Sequence, residues 1–403
     1  MNKLKIINDP IYGFITIPSE LIYDIIEHRY FQRLRRVSQM GMSYLVYPGA
    51  HHTRFQHAIG CIFLMQKAIN VLRFKGVAIS EEEEQALQIA ILLHDIGHGA
   101  FSHALEHSIV DSVSHEEISL YFMEVLNVEF NGKLSLAIEI FKGNNKRLFL
   151  NQLISSQLDI DRLDYLKRDS FYTGVAEGNV NSERLITMLN VKDDELVVEE
   201  KGIYSVEKFI IARRLMYWQV YLHKTGLVAE SVLVKILQRA KQLTQKGKQL
   251  PASDALQFFL KTKVTKESFD TKVLEKFSQL DDYDIITAIK SWQYNDDLIL
   301  ATLSKAIIQR KLPKIKLQST KFEVTKINEI SAKVKAIYKV SDEELSYLVL
   351  NGSVSNHAYS IDKSPIHILF KTGELKDIVS ASDHLNLQAL TKPVVKYYLS
   401  FPK

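Results

Sequence analysis

The sequence predicts a mainly α-helical fold with small β-hairpins and a smaller C-terminal α+β lobe, on three observations. Helical periodicity dominates from Ser19 to about Arg239, and only 8 prolines interrupt the 403 residues. Two short segments, DPIYGFITIP and DELVVEEKGIYSVEK, instead read as hairpins. Beyond about Leu250 lysine-rich helices run to Ile308, and β-branched stretches then appear in KFEVTK, PIHILF and VVKYYLSF. The chain therefore divides into a core over residues 1–248 and a helical and α+β lobe over 249–403, which would serve assembly or regulation. Basic Gln309 to Lys321, interrupted by Pro313, is the expected hinge.

The elements follow in order. The first hairpin turns at Tyr12-Gly13, and a helix starts near Ser19. In GAHHTRFQHAIG, His57 follows Arg54 by about one helical turn, and the apolar residues after it carry that helix into the core. SEEEEQALQIAILLHD opens with Ser80 as N-cap and Glu83 at the capping-box position, with acidic residues in the first turn. Its apolar run ends at His94 and Asp95, followed by Gly97 and Gly99. A buried His-Asp pair must be hydrogen-bonded or coordinate an ion, and either ending suits this helix. LDIDRLDYLKRD places Asp161, Tyr165 and Asp169 at steps of four with Arg162 beside them, either as a polar wall of a site or as a solvated face with an Asp164–Arg168 ion pair. The second hairpin turns near Gly202. In RRLMYWQVYLHKT, Arg213, Tyr217, Tyr221 and Lys224 fall on one helical stripe, which is either core or a binding wall.

Composition excludes several classes of function. At 46% hydrophobic and 24% charged, the chain has ordinary globular composition. No apolar run approaches the ~18 residues of a membrane span, and MNKLKIINDP lacks a signal-peptide core, so a cytoplasmic protein is expected. A net charge of +4 argues against nucleic acid as the principal partner. The single cysteine, Cys61, is expected in the core; a metal site must then rest mainly on His, Asp or Glu.

The ordered set His57, His94-Asp95 and Asp161 resembles the signature of the HD-domain metal-dependent phosphohydrolases. DPIYGFI, FQRLRRVSQMG, VYPGAHHTRFQHAIG, LLHDIGHGAFSH, SHEE and LDIDRLDYLKRD are similar, in order, to segments of the deoxynucleoside triphosphate triphosphohydrolases of the dGTPase and sterile-alpha-motif/HD type. The resemblance spans about residues 8 to 240. It implies an HD-domain helical core in which His57, His94, Asp95 and Asp161 hold one divalent metal per subunit, and the donors suit Mn, Fe, Zn or Mg. It also implies water attack at the α-phosphate of a dNTP, releasing deoxynucleoside and triphosphate.

By the same resemblance, His103 and Glu106 handle the proton, His98 binds a phosphate oxygen, and His115 completes the proton-handling wall. Arg54 and Arg162 neutralise the triphosphate, and Arg213 meets its outer phosphates. Tyr165 covers the sugar, Gln39 and Asp169 bond a 3′-hydroxyl, and Tyr221 lies near the base. Arg162 departs from the lysine of some relatives and keeps the charge with a different fork geometry. His223 and Lys224 fit either substrate or regulatory contacts. His107 reads as surface, and His51 and His52 match no ligand position. A homo-oligomer, dimer or tetramer, with an allosteric nucleotide at subunit contacts is also implied. Two other readings stand beside this one: an HD phosphohydrolase acting on another nucleotide or phosphoester, and a catalytically silent nucleotide-binding regulator.

Overall fold

The first hairpin forms, but its turn spans Pro10 to Tyr12 and Gly13 already opens the second strand. In the computed structural model, which describes residues 5–102, 108, 110, 113–361, 364–383 and 387–403, β1 (Ile6–Asp9) pairs antiparallel with β2 (Gly13–Thr16). Asp9 Oδ1 accepts the Ile11 and Tyr12 amides at 2.9 and 3.0 Å, closing the turn. Ser19 then caps the Glu20–Glu27 helix, its side chain accepting from the Ile22 amide.

Three helices form the core of the first half. The Arg54–Phe74 helix starts in a Thr53/Gln56 capping box and is buried on most sides. It packs between the Glu81–Leu93 and Ile160–Thr173 helices. The second of these begins in the expected Ser80/Glu83 capping box, and the third is capped by Asp159 Oδ1 on the Arg162 amide at 2.8 Å. Gly60 is the point of closest approach: a Cβ there would collide with Asp164 Oδ1 and Arg168 Nη2, so only glycine lets this pair lie against the helix backbone.

Several expectations need correction. The second hairpin is β3 (Leu189–Lys192) with β4 (Glu195–Glu199), and it turns at Asp193-Asp194 rather than near Gly202. Both aspartates adopt left-handed φ, 54° and 60°, as a tight hairpin turn requires. Gly202 instead leads into the Ile203–Met216 helix, where helical periodicity prevails over the β-branched IYSV. The Arg213-to-Lys224 stripe is broken, because Tyr217–Tyr221 winds as a π-helix and His223 caps a new helix, Lys224–Gln245.

In the C-terminal part the segment read as a hinge contains β5 (Lys314–Gln318), which pairs with β9 (Val394–Phe401). β9 also pairs with β6 (Leu350–Asn356), giving an antiparallel sheet of order β5-β9-β6. KFEVTK is not a strand: Glu323 is the N-cap of the Val324–Tyr338 helix, where lysines and isoleucines recur at helical spacing. β7 (His367–Leu369) joins β4 in parallel and β8 (Leu375–Asp377) antiparallel. One hydrophobic cluster runs through the described residues from Ile15 to Leu399. The fold is mainly helical with small sheets, as the sequence predicts.

Candidate active site

Four predicted donors meet where three helices converge. His57 lies in the first turn of the Arg54–Phe74 helix, His94 and Asp95 end the Glu81–Leu93 helix, and Asp161 lies in the first turn of the Ile160–Thr173 helix. His57 Nε2 is 3.1 Å from Asp161 Oδ1 and 3.6 Å from Asp95 Oδ2. His94 Nε2 is 3.5 Å from Asp161 Oδ1 and 3.6 Å from Asp95 Oδ1. These separations are roughly those between ligand atoms around one ion with bonds of about 2.1 Å.

Both imidazoles are oriented from behind. His94 Nδ1 bonds the Ile91 carbonyl at 2.6 Å, which leaves Nε2 buried and without a hydrogen-bond partner among the described residues. His57 Nδ1 bonds Asp164 Oδ2 at 2.8 Å. In each ring Nδ1 is the atom tied back, so Nε2 is the atom that faces the carboxylates and that a metal would use. Burial pushes the Asp161 carboxyl up, but His57 and His94 hold it well below the usual carboxylate range. The two imidazole nitrogens, of which His94 Nε2 is buried and without a hydrogen-bond partner among the described residues, and the two carboxylates fit a divalent cation.

The Asp164–Arg168 pair is not a solvated surface pair. Both residues are fully buried, Arg168 Nε meeting Asp164 Oδ2 at 2.8 Å and Arg168 Nη1 meeting Asp9 Oδ2 at 2.8 Å. Burial raises the Asp164 carboxyl, while Arg168 and His57 bring it down to about 2. Cys61 is core, as expected, and its Sγ lies 3.6 Å from both His57 ring nitrogens; burial pushes this thiol up.

The remaining candidates surround the cluster. Arg54 pairs with Asp95 through Nη1 and with Ser102 Oγ through Nη2 at 2.8 Å. His98 Nδ1 is 3.2 Å from Asp95 Oδ1, and its ring lies 3.9 Å, between centroids, from that of His115. Burial, with Arg54 nearby, pushes the His98 imidazole down, while Asp95 pulls it back up. Arg162 pairs with Asp159 at 3.1 Å, and burial lifts that carboxyl to about 6. Tyr165 packs edge-on to Tyr221, which in turn contacts Tyr217. Tyr221 donates to Asp169 Oδ2 at 2.8 Å, and Arg213 Nη1 donates to the Ala358 carbonyl at 3.2 Å. Gln39 Oε1 and the Nε atoms of Arg54, Arg162 and Arg213 are buried without partners among the described residues. His103, Glu106 and His107 lie outside the described residues. His223 is an N-cap, Lys224 opens the following helix, and His51 is exposed.

Sequence reasoning missed the supporting residues. His52 matched no ligand position, yet it is 2% exposed and bonds Asp169 Oδ1 through Nε2 at 2.7 Å. Ser119 accepts the Gly97 amide and donates to the His94 carbonyl. Arg33 donates to the Ile96 and His98 carbonyls at 2.7 and 2.9 Å. Asp282 accepts the Ser38 and Phe101 amides at 2.9 and 2.7 Å. Only the basic run around Arg33 carried any signal, and it does not reveal burial.

Residues 54–169 match the HD domain family, and residues 180–271 match the HD associated region. A phosphohydrolase of known structure from Bacteroides thetaiotaomicron is 51% identical over 100% of both chains, with a TM-score of 0.96. The chain belongs to the HD-domain phosphohydrolases. Uncharacterized protein YwfO of Bacillus subtilis is 32% identical, the match covering 94% of this chain and 88% of that one. The deoxynucleoside triphosphate triphosphohydrolase SAMHD1 homolog of Dictyostelium discoideum is 32% identical over 61% of this chain and 51% of its own length. This HD-domain phosphohydrolase thus carries its His/Asp metal site within the matched HD domain. No helix among its described residues is long and apolar enough to cross a membrane.

Proposed function

We propose that this phosphohydrolase hydrolyses deoxynucleoside triphosphates to deoxynucleoside and triphosphate. One observation carries the reading: Arg54 shares Asp95 with the His/Asp cluster, and buried polar atoms lack partners among the described residues at Arg54, Arg162, Arg213 and Gln39. Three guanidiniums suit a polyphosphate, and an acceptor-only carboxylate beside three tyrosines suits a sugar hydroxyl. The likeness to the Dictyostelium triphosphohydrolase, at 32% identity, supports the same reading.

His57, His94, Asp95 and Asp161 would hold the divalent cation, which when bound polarises a phosphoryl oxygen and acidifies water. Arg54 shares Asp95 with that site and brings positive charge beside the reacting phosphate. Arg162 and Arg213 neutralise the rest of the chain of phosphates. His98, seated against Asp95, would meet a phosphate oxygen by donating a ring N–H, and His115 lies beside it for proton handling. Tyr165 closes the C2′ side of the sugar against a ribose hydroxyl.

The test is product analysis. Purified protein is incubated with each of the four dNTPs and with GTP, with Mn or Mg and with GTP added as a candidate activator, and products are separated by ion-pair chromatography. Deoxynucleoside with intact triphosphate is the expected result. Pyrophosphate or inorganic phosphate as the first product would overturn it in favour of another phosphoester reaction.

A further inference from the structure

His52 is a buried polar residue beside Asp169, and no step above uses it. Its side chain is 0% exposed, and its ring stacks on Tyr172 at 4.4 Å between centroids with an 11° interplanar angle. Nε2 meets Asp169 Oδ1 at 2.7 Å, while Nδ1 is buried without a hydrogen-bond partner among the described residues. Its carbonyl accepts the Gln39 amide at 3.0 Å, within a short antiparallel contact that also pairs Ser38 with Thr53. One residue thus ties together, through its backbone and its ring, the Gln39 backbone and the Asp169 side chain.

Consider Asp169 from its own side. Its carboxylate oxygens are taken at one lone pair each, Oδ1 by His52 and Oδ2 by the Tyr221 hydroxyl at 2.8 Å. A carboxylate offers about four acceptor sites and no donor, so whatever completes the shell must bring a hydrogen. The two clamps also fix the carboxylate plane, because rotating it would break both bonds. Tyr172 prevents the imidazole from swinging aside, and Gln56 Nε2 holds the Tyr172 hydroxyl at 2.9 Å.

We infer that His52 is a positioning residue for sugar recognition: it holds Asp169 as a fixed acceptor for a ligand hydroxyl and registers Gln39 beside it. The inference rests on the deoxynucleotide reading and deepens it, because it names the residue that makes the 3′-hydroxyl matter. A histidine that merely filled the core would affect every ligand alike.

The experiment measures binding, not turnover. Affinities of the metal-loaded protein for an α,β-imido deoxynucleoside triphosphate and for its 3′-deoxy counterpart are compared by calorimetry, with metal content and melting temperature recorded for each variant. The wild type is expected to prefer the 3′-hydroxyl by roughly 10- to 100-fold, the size of a hydrogen bond to a charged acceptor. In His52→Ala that ratio falls towards one, chiefly through weaker binding of the hydroxylated analogue, with metal content unchanged. His52→Gln, whose amide nitrogen reaches close to the place of Nε2, restores part of the ratio. If His52→Ala does not fold, Tyr172→Leu removes the stacking face, with the hydroxyl that Gln56 holds, and should narrow the ratio part-way. A ratio that survives either variant in full, or equal weakening of both analogues, overturns the inference alone. A wild type indifferent to the 3′-hydroxyl overturns the sugar reading beneath it.

Discussion

Asp164 touches no position that an ion or substrate would occupy, yet it decides where His57 points. It accepts from His57 Nδ1 and from Arg168, which is held in turn by Asp9 of the first hairpin. Replacing Asp164 with Asn keeps the volume but removes the charge that fixes the His57 tautomer. Metal affinity should fall by roughly 10- to 100-fold, the usual cost of losing such an outer partner. His94→Ala, which deletes a donor, should abolish binding; metal content after dialysis against a graded chelator distinguishes the two. An Asp164→Asn protein that retains metal like the wild type would show that helix packing alone orients His57. The sequence displayed the donors themselves, because His57, His94-Asp95 and Asp161 stand in recognisable words. It did not display their support. An i,i+4 aspartate and arginine look the same on a wet face as against Gly60, and His52 meets Asp169 across 117 residues of chain.

Capping chemistry explains why the helix starts at Ser19 and Ser80 were legible. Ser19 and Ser80 each accept an amide from the first turn, and these bonds depend only on neighbours in sequence. Some elements that answer to distant partners were not legible, although β7 and β9 showed in their β-branched stretches. The π-turn at Tyr217–Tyr221 breaks a stripe that 3.6-residue periodicity would have continued, and β5 is a strand because β9 lies beside it. Asp297 joins the local and the distant roles. It caps the Leu298–Ile308 helix through the Leu300 amide and receives Arg239 of the Lys224–Gln245 helix at 2.7 Å, while Arg239 also reaches Glu344 at 3.2 Å. Asp297→Ala should cost about 2 kcal/mol, the loss of a helix cap and of one partner of a half-buried ion pair, read from the denaturant midpoint. The pH dependence follows from the sign of the shift. Burial raises the Asp297 carboxyl, but Arg239 and the Leu300 amide outweigh it and leave it below its ordinary value. The pair therefore contributes fully above the unfolded aspartate value of about 3.9 and loses its contribution as pH falls through the lower folded value. Asp297→Ala should flatten that acid limb of the stability profile; an unchanged limb would assign it to other carboxylates.

Across the whole molecule, the part of the chain beyond residue 248 reaches back to hold the site. Arg33, fully buried, donates to the carbonyls of Ile96 and His98 and, at 3.4 Å, to that of Leu280. Two residues on, Asp282 starts the Asp282–Trp292 helix and accepts the amides of Ser38, which precedes Gln39, and of Phe101. Phe101 and its neighbour Ser102 are held at φ of 51° and 54°, a conformation that costs a non-glycine residue roughly 1–2 kcal/mol and needs a partner to persist. Ser102 in turn accepts Arg54 Nη2. Burial pushes the Asp282 carboxyl above its ordinary range, so its two amide donors do not fully offset desolvation; that cost is tolerated where the carboxylate joins two walls of the pocket. Asp282→Ala frees both amides and lets the Phe101-Ser102 backbone relax. Phosphohydrolase turnover should fall by roughly 10-fold or more, as small misplacements of site groups do, while metal content stays at the wild-type level. Hydrogen exchange at the Phe101 amide should accelerate in step with the loss. Arg36→Ala, which removes an exposed partner of neighbouring Asp281, serves as the control and should leave both readings within error. Full turnover in Asp282→Ala together with a fast-exchanging Phe101 would mean that the loop needs no support from this helix, and that the C-terminal part contributes only its share of the common core.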